Sequence, residues 1–335
     1  MNWIDLSVKD RINVLETLKV KLKIDAVSIE KDWWVTMVLK ALFTSVYASH
    51  LSFKGGTSLS KCFHLINRFS EDVDISINRE FLGFGGQLSK TQISDKLRRA
   101  TCSFVRETLM KELENQLLAI GIKKEFFEVK VNLTSVTTTD PETIEVHYKS
   151  AFSDFKYIQN KVLIEVSGRS MIEPVEVVEI CSMITECIPN TPYSDKPFPL
   201  TAVSPKRTFL EKCCLLHEEF SQKTRQVRSS RMTRHLYDLE RMMDTAFANE
   251  ALEDRDLYKS IIEHRKKFIG LNGFDYSELL PNNISFVPPV DVMESWRSDY
   301  NSMRESMIYG DPLTFDELIN RIKDLNARFK LIKEF

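Results

Sequence analysis

The sequence predicts an α+β fold in two parts: a sheet-bearing core over residues 1–200 with a helical N-terminal extension, and a mostly helical domain over 201–335. Three observations predict it. Apolar residues recur at the helical period before residue 50 and again after Ser204. Between these regions, several short segments alternate strictly between apolar and polar residues, which is the period of a half-buried strand. A proline-rich stretch, IPNTPYSDKPFPLTAVSP from Ile188 to Pro205, separates the two regimes with little periodicity and is the natural linker.

The elements follow in order. VKDRINVLETLKVKLKI carries Ile12, Leu15, Leu18 and Leu22 on one helical face. IEKDWWVTMVLKALFTSVYA continues as a second helix, with Ser28 as N-cap and Glu30 in the first turn. LSFK reads as a short strand, TSLSKCFHLI as a helix and DVDISI as a strand. GFGG (Gly83–Gly86) is a loop before a long helix over Thr91–Ile120. FFEVKVNLT, TIEVHYKS, KVLIEVSG and EPVEVVEI supply further strands, and helices are expected at 204–220, 231–247, 249–268 and 312–328. Ser204 and Pro205 suit the cap and first position of the helix that follows.

Composition narrows the function classes. A chain of 335 residues with 46 Lys+Arg against 48 Asp+Glu is near neutral, so any nucleic-acid contact must come from a local patch. No run approaches the roughly 20 apolar residues of a membrane helix. The start, MNWIDLSVKDRINVLE, lacks an apolar signal core, so a cytoplasmic protein without membrane contact is expected. Its six cysteines form no CxxC pair and are read as reduced core thiols rather than zinc ligands.

The chemistry concentrates in FKGGTSLSKCFHLINRFSEDVDISI. Strand alternation puts Asp72, Asp74 and Ser76 on one face and Val73, Ile75 and Ile77 on the other. Two carboxylates so arranged repel each other unless a cation or solvent lies between them. A solvated edge strand explains the bare pair as well. Gly55 and Gly56 allow close backbone approach, and the following helix start with Thr57 and Ser58 offers donors to a phosphate. An ordinary tight turn is the competing explanation, and the GxxxxGK[ST] phosphate loop is absent. A phosphate turn followed by an acidic strand suits Mg²⁺, which takes one or two carboxylates plus substrate phosphates. With two ions and an NTP, the chemistry expected is in-line displacement at the α-phosphate, with pyrophosphate leaving.

GGTSLS…RFSEDVDISI resembles the signature of the DNA polymerase β-like nucleotidyltransferase superfamily. More closely, with IEKDWWVTMVLKAL upstream and two motifs downstream, residues 30–240 resemble the AbiEii/AbiGii toxin family of bacterial toxin–antitoxin and phage-defence systems. The resemblance implies a polymerase β-like core with a mixed or antiparallel sheet flanked by helices. It also implies a cognate antitoxin and an RNA acceptor such as the tRNA 3′ end. Superfamily members commonly add a third carboxylate from a later strand. Glu165 in KVLIEVSGR is similar to it, with Glu145 in TIEVHY as the rival.

TFLEKCCLLHEE is similar to the family's helix with an active-site lysine, which assigns Lys212 to the triphosphate; a snorkelling lysine is the bland alternative. RHLYDL matches the family's last motif, which brings Asp238 into the catalytic set as the residue orienting Lys212 or an arginine. Arg68 and Ser70 match the pattern ahead of the acidic strand, Arg68 to pair with a phosphate or brace Asp72 and Ser70 to tie down the turn. In QKTRQVRSSRMTRHLYDLE, Lys223, Arg225, Arg228, Arg231 and Arg234 precede Asp238. A helix from Ser230 would align Arg231, Arg234 and Asp238 as a phosphate-binding face. A solvated basic loop is the commoner outcome of such a run. Glu30–Lys31–Asp32 also matches the family, without a physical role legible in the sequence. Two other readings stay open: transfer to a protein hydroxyl, and a binding module without catalysis.

Overall fold

The computed structural model describes residues 2–132, 142–152, 159–221 and 225–332. It comprises two compact units, Met1–Cys62 with Ser70–Val203, and Phe63–Phe69 with Ser204–Phe335.

The first unit carries a seven-stranded sheet: β1 Leu51–Lys54, β2 Val73–Ile77, β3 Phe127–Asn132, β4 Glu142–Tyr148, β5 Lys161–Ser167, β6 Val175–Ile180 and β7 Phe198–Val203. The strand order is β3-β4-β5-β2-β1-β7-β6. Pairing is parallel between β2 and β5 and between β1 and β7, and antiparallel elsewhere, so the sheet is mixed. Its helices are α1 Val8–Leu22, α2 Ala26–Phe43, α3 Gly55–Lys61, α4 Arg98–Phe104, α5 Met110–Ala119 and α6 Met183–Cys187. The predicted long helix is present as α4 and α5 with π-helical stretches at Gln92–Leu97 and Val105–Leu109. The α+β class read from periodicity is the class observed.

Helix α2 is the spine of this unit. Nearly every side chain on it is buried, as expected of a helix apolar all round, and it packs on α1, α5, α6, β5 and β7. On the sheet, Phe53, Val73, Ile75, Ile164 and Val166 are fully buried, so their face belongs to the core.

Three local expectations are corrected. Ser28 lies inside α2, and Asp25 precedes the helix, because Ala26 and Val27 already pack into the core. Helix α3 begins at Gly55 itself and ends at Lys61, with His64 beyond it in a left-handed conformation. The supposed linker contains β7, whose Phe198, Leu200 and Ala202 alternate inward beside β1. Pro199 is accommodated because it stands opposite Glu179 of β6, beyond the single β1–β7 register pair at Phe53 and Ala202. The end of FFEVKVNLT, Leu133 and Thr134, lies outside the described residues.

The second unit is helical: α7 Pro205–Phe220, α8 Thr233–Met242, α9 Ala246–Glu253, α10 Arg255–His264, α11 Met293–Ser306 and α12 Phe315–Phe329. Phe209, Leu216, Leu236, Phe286, Trp296 and Phe329 form its core. A short backbone ladder adds Asn67–Phe69 to it: Arg68 bridges Ile308, the Phe69 amide donates to the Met307 carbonyl, and the Tyr309 amide to that of Asn67. All six cysteines are free thiols; Cys181 and Cys187 are half-buried rather than core. No helix among the described residues is long and apolar enough to cross a membrane.

Candidate active site

Strand register builds the acidic face. Asp74 stands opposite Lys54 across the β1–β2 pair and opposite Glu165 across the β2–β5 pair. Register partners on neighbouring strands share a face of the sheet, so Lys54, Asp74 and Glu165 form one row. The next row is Ser52, Ser76 and Ser167. Ser76 is fully buried, and its hydroxyl has no hydrogen-bond partner among the described residues. Glu145 stands opposite Leu163 and accepts from Lys161 Nζ at 2.6 Å and pairs with His147 at 2.7 Å, a separate cluster. Of the two rivals, Glu165 is the one beside Asp74.

Burial, then the charges of Asp74 and Asp72, push the Glu165 carboxyl up to about 7, with Lys54 pulling the other way. Such crowding is relieved by a cation, and an all-oxygen donor set suits Mg²⁺. Among the described residues no three His, Cys, Asp or Glu groups stand in a ready-made metal cage.

The glycine turn is fitted against this row. Gly55 has φ +85°, and a Cβ there would lie 2.1 Å from Asp74 Oδ2, so only glycine fits. Gly55→Ala is therefore expected to cost about 1–3 kcal/mol of stability and to displace Asp74. Urea unfolding together with a transfer assay checks this; a variant unchanged in both would refute it.

The hydroxyls beside the glycines brace the fold. Thr57 Oγ1 donates to the Asp72 carbonyl at 2.6 Å and lies 2.9 Å from Ser70 Oγ, while Ser58 Oγ donates to the Gly55 carbonyl at 3.0 Å. Ser70 and Thr57 thus tie the turn to the start of the acidic strand. Gly55 and Gly56 themselves are half-buried.

Glu30, Lys31 and Asp32 now have a physical role. Each points a different way from the buried helix α2. Glu30 accepts from the Ala151 amide at 2.8 Å and Ser150 Oγ at 2.5 Å. Lys31 pairs with Glu71, next to Asp72, and donates to the Gln159 carbonyl at 3.1 Å. Asp32 accepts from Lys61 Nζ at the end of α3 and from the Met183 amide, both at 2.7 Å. One turn of helix thereby fixes the end of α3, which the glycine turn opens, and the approach to the acidic strand.

The second unit holds its own polar cluster around Asp238, which is wholly buried. Arg68 donates to both carboxylate oxygens, Nε at 2.7 Å and a terminal nitrogen at 2.8 Å, and to the Phe69 carbonyl at 3.2 Å. Lys212 Nζ is 2.9 Å from Asp238 Oδ2. Burial alone would raise the Asp238 pKa, but Arg68 and Lys212 hold it far below the usual carboxylate range. Burial lowers the pKa of Lys212 against the pull of Asp238. Burial, then the charges of Lys212 and Arg234, keep His235 well below its ordinary range and therefore neutral. Its Nδ1, 3.3 Å from Lys212 Nζ, accepts from the ammonium, which leaves the ring hydrogen on Nε2.

Arg231 does not join the Arg234–Asp238 face. It has φ +59°, and α8 starts only at Thr233. Asp299 on α11 captures the Arg231 amide at 2.6 Å and Thr233 Oγ1 at 2.5 Å, and so fixes the start of α8 from outside. Arg225 and Arg228 converge on the buried Glu219, whose pKa they lower to about 2 against the effect of burial. Lys223 lies outside the described residues. Sequence reasoning missed Lys54, His235 and the Met307–Tyr309 backbone. His235 adjoins Asp238 in the RHLYDL motif, which was the available signal, whereas the place of Lys54 beside the acidic row depends on strand register.

The sequence matches, over residues 38–321, the model of the family described as nucleotidyl transferase AbiEii toxin, type IV toxin–antitoxin system. Among solved structures, it is similar to MenT4, a nucleotidyltransferase toxin from Mycobacterium tuberculosis H37Rv. That match has a TM-score of 0.53 at 16% identity and covers 97% of this chain and 89% of that one, a likeness of fold. No curated protein matches the sequence.

Proposed function

Because the chain belongs to the AbiEii nucleotidyltransferase toxin family of type IV toxin–antitoxin systems, with an NTP substrate and an antitoxin partner, we propose that it transfers a nucleotide to RNA, at the 3′ end of a tRNA. The carrying observation is the row of Lys54, Asp74 and Glu165 with Gly55 pressed against Asp74. Asp72, Asp74 and Glu165 would hold Mg²⁺. When bound, the ion screens the phosphates and activates the acceptor oxygen. The acceptor hydroxyl attacks the α-phosphorus in line, the bond to the β-phosphate breaks, and pyrophosphate departs with the electron pair while the hydroxyl proton is released. Gly55 and Gly56 admit the triphosphate close to the backbone. Lys212, oriented by Asp238 and His235, is assigned to the triphosphate. Arg68 enters as a brace of Asp238, since its guanidinium is engaged there. Arg234 adds positive charge near Lys212. The RNA acceptor rests on the exposed Arg225, Arg228 and Arg231, of which the first two share a single carboxylate and keep a net positive charge.

The test is incubation with each α-labelled NTP and total cellular RNA and protein, with and without Mg²⁺. The expected result is Mg²⁺-dependent label that RNase removes. Label that survives RNase and is lost to protease would overturn the RNA acceptor.

A second measurement follows from Glu165. With its carboxyl titrating at about 7, near neutrality it carries roughly half a proton, which ion binding must expel. Calorimetry in two buffers of different ionisation enthalpy should detect that release for wild type at pH 7 and not for Glu165→Gln. Equal release from both would remove Glu165 from the ion's ligand set.

A further inference from the structure

Lys54 is the one cationic side chain in the register row of the acidic face. Its neighbour across β2 is Asp74, and Glu165 stands one strand further on. Among the described residues its ammonium donates to Ser170 Oγ at 2.8 Å and lies in no ion pair within 4.0 Å. An ammonium has three N–H donors, so two remain for a ligand. The side chain is half-buried, which shields it from bulk solvent without closing it off. Had its purpose been to neutralise the carboxylates, a direct pair with Asp74 would serve. Instead Ser170 tethers it beside them, with spare donors at the residue that immediately precedes Gly55.

We propose that Lys54 is a further catalytic residue, whose ammonium contacts the phosphate oxygens of the bound NTP and carries part of the charge that gathers on the leaving pyrophosphate. The proposal rests on nucleotidyl transfer at the acidic face. As the acceptor oxygen–phosphorus bond forms and the bond from the α-phosphorus to the bridging oxygen breaks, the electron pair passes to pyrophosphate and the acceptor's proton is released. Lys54 takes no part in the proton transfer and acts as a fixed positive charge. It would thereby add to the screening of the triphosphate that a bound divalent ion would supply. Ser170 positions it.

The test uses Lys54→Met, Lys54→Arg and Ser170→Ala in the full chain, with Asp72→Ala as the control for the underlying reading. Lys54→Met should lower kcat by roughly 100-fold, the scale for losing one preorganised donor to developing charge. Mn²⁺ binding measured without nucleotide should be retained or tighter in that variant, because a competing positive charge has gone. Lys54→Arg should recover most of the rate, and Ser170→Ala should lose about 10-fold or less. If Lys54→Met transfers at the wild-type rate while Asp72→Ala does not, this assignment is overturned and the transferase reading stands. If Lys54→Met loses Mn²⁺ binding and its thermal midpoint falls with it, the residue is structural and the assignment also fails. Wild-type transfer by Asp72→Ala would instead remove the reading on which the proposal stands.

Discussion

Replacing Asp74 with asparagine is expected to lower nucleotidyl transfer by at least about 1,000-fold, as metal-ion catalysis supplies several kcal/mol and each 1.36 kcal/mol is a factor of ten. The same change should leave the protein as stable as wild type or more so. Asp74 sits between Lys54 and Glu165, and its charge is one of the causes holding the Glu165 carboxyl at about 7. Removing that charge relieves the repulsion and lets Glu165 ionise more easily. The asparagine amide keeps the shape that Gly55 packs against. Activity and stability therefore move apart, as expected where repulsion is retained for function. Transfer of α-label and urea unfolding, measured on the same preparation, check both halves. A variant that keeps more than a tenth of the wild-type rate would exclude Asp74 from the chemistry.

The largest stability effect should come from Asp238→Ala. Arg68 is 4% exposed and Lys212 8%, and both direct their charge at the one carboxylate. Deleting it removes the carboxylate that two buried cations share, a loss of about 3–5 kcal/mol for a broken buried pair. The pH dependence has a definite sign. The Asp238 pKa is depressed in the folded state, so its stabilisation is fully present above the unfolded value of about 3.9 and is lost as pH falls through the much lower folded value. Wild type should thus weaken steeply below about pH 4, while Asp238→Ala lacks that component. Urea midpoints at pH 7 and pH 3.5 test it. A difference between the two proteins that stays constant with pH would mean that the carboxylate is not the hub.

The strands that carry the site were legible because alternation survives wherever one sheet face is buried. DVDISI and KVLIEVSG show it, and Asp74 and Glu165 could be placed on a polar face before any pairing was known. The partnership between them was not legible, since register between β2 and β5 is decided by the whole sheet. The same limit hid Lys54, which a reader of FKGG meets only as the residue before the glycines. Strand β7 was masked by its prolines, which signal a turn unless the pairing partner is known to end short of them. Helix α11 carries Trp296, Tyr300 and Met303 at helical spacing, but the charged residues between them diluted the signal. Glu30, Lys31 and Asp32 defeated reading for a different reason. Consecutive residues on a fully buried helix face three directions, so no single-face pattern exists to recognise.

The Asn67–Phe69 segment has a consequence for how such a gene can be rearranged. A fragment starting at Ser204 would encode Lys212 and Asp238 but not Arg68, which lies 170 residues upstream of its partner. One recombination event between the two units would separate the guanidinium from its carboxylate and strand the ladder strand made by Met307–Tyr309. Exchange of the helical unit between relatives needs two crossovers, one on each side of Phe63–Phe69, besides the one near Val203. Attempts to express the second unit alone should begin by grafting residues 63–69 onto its start.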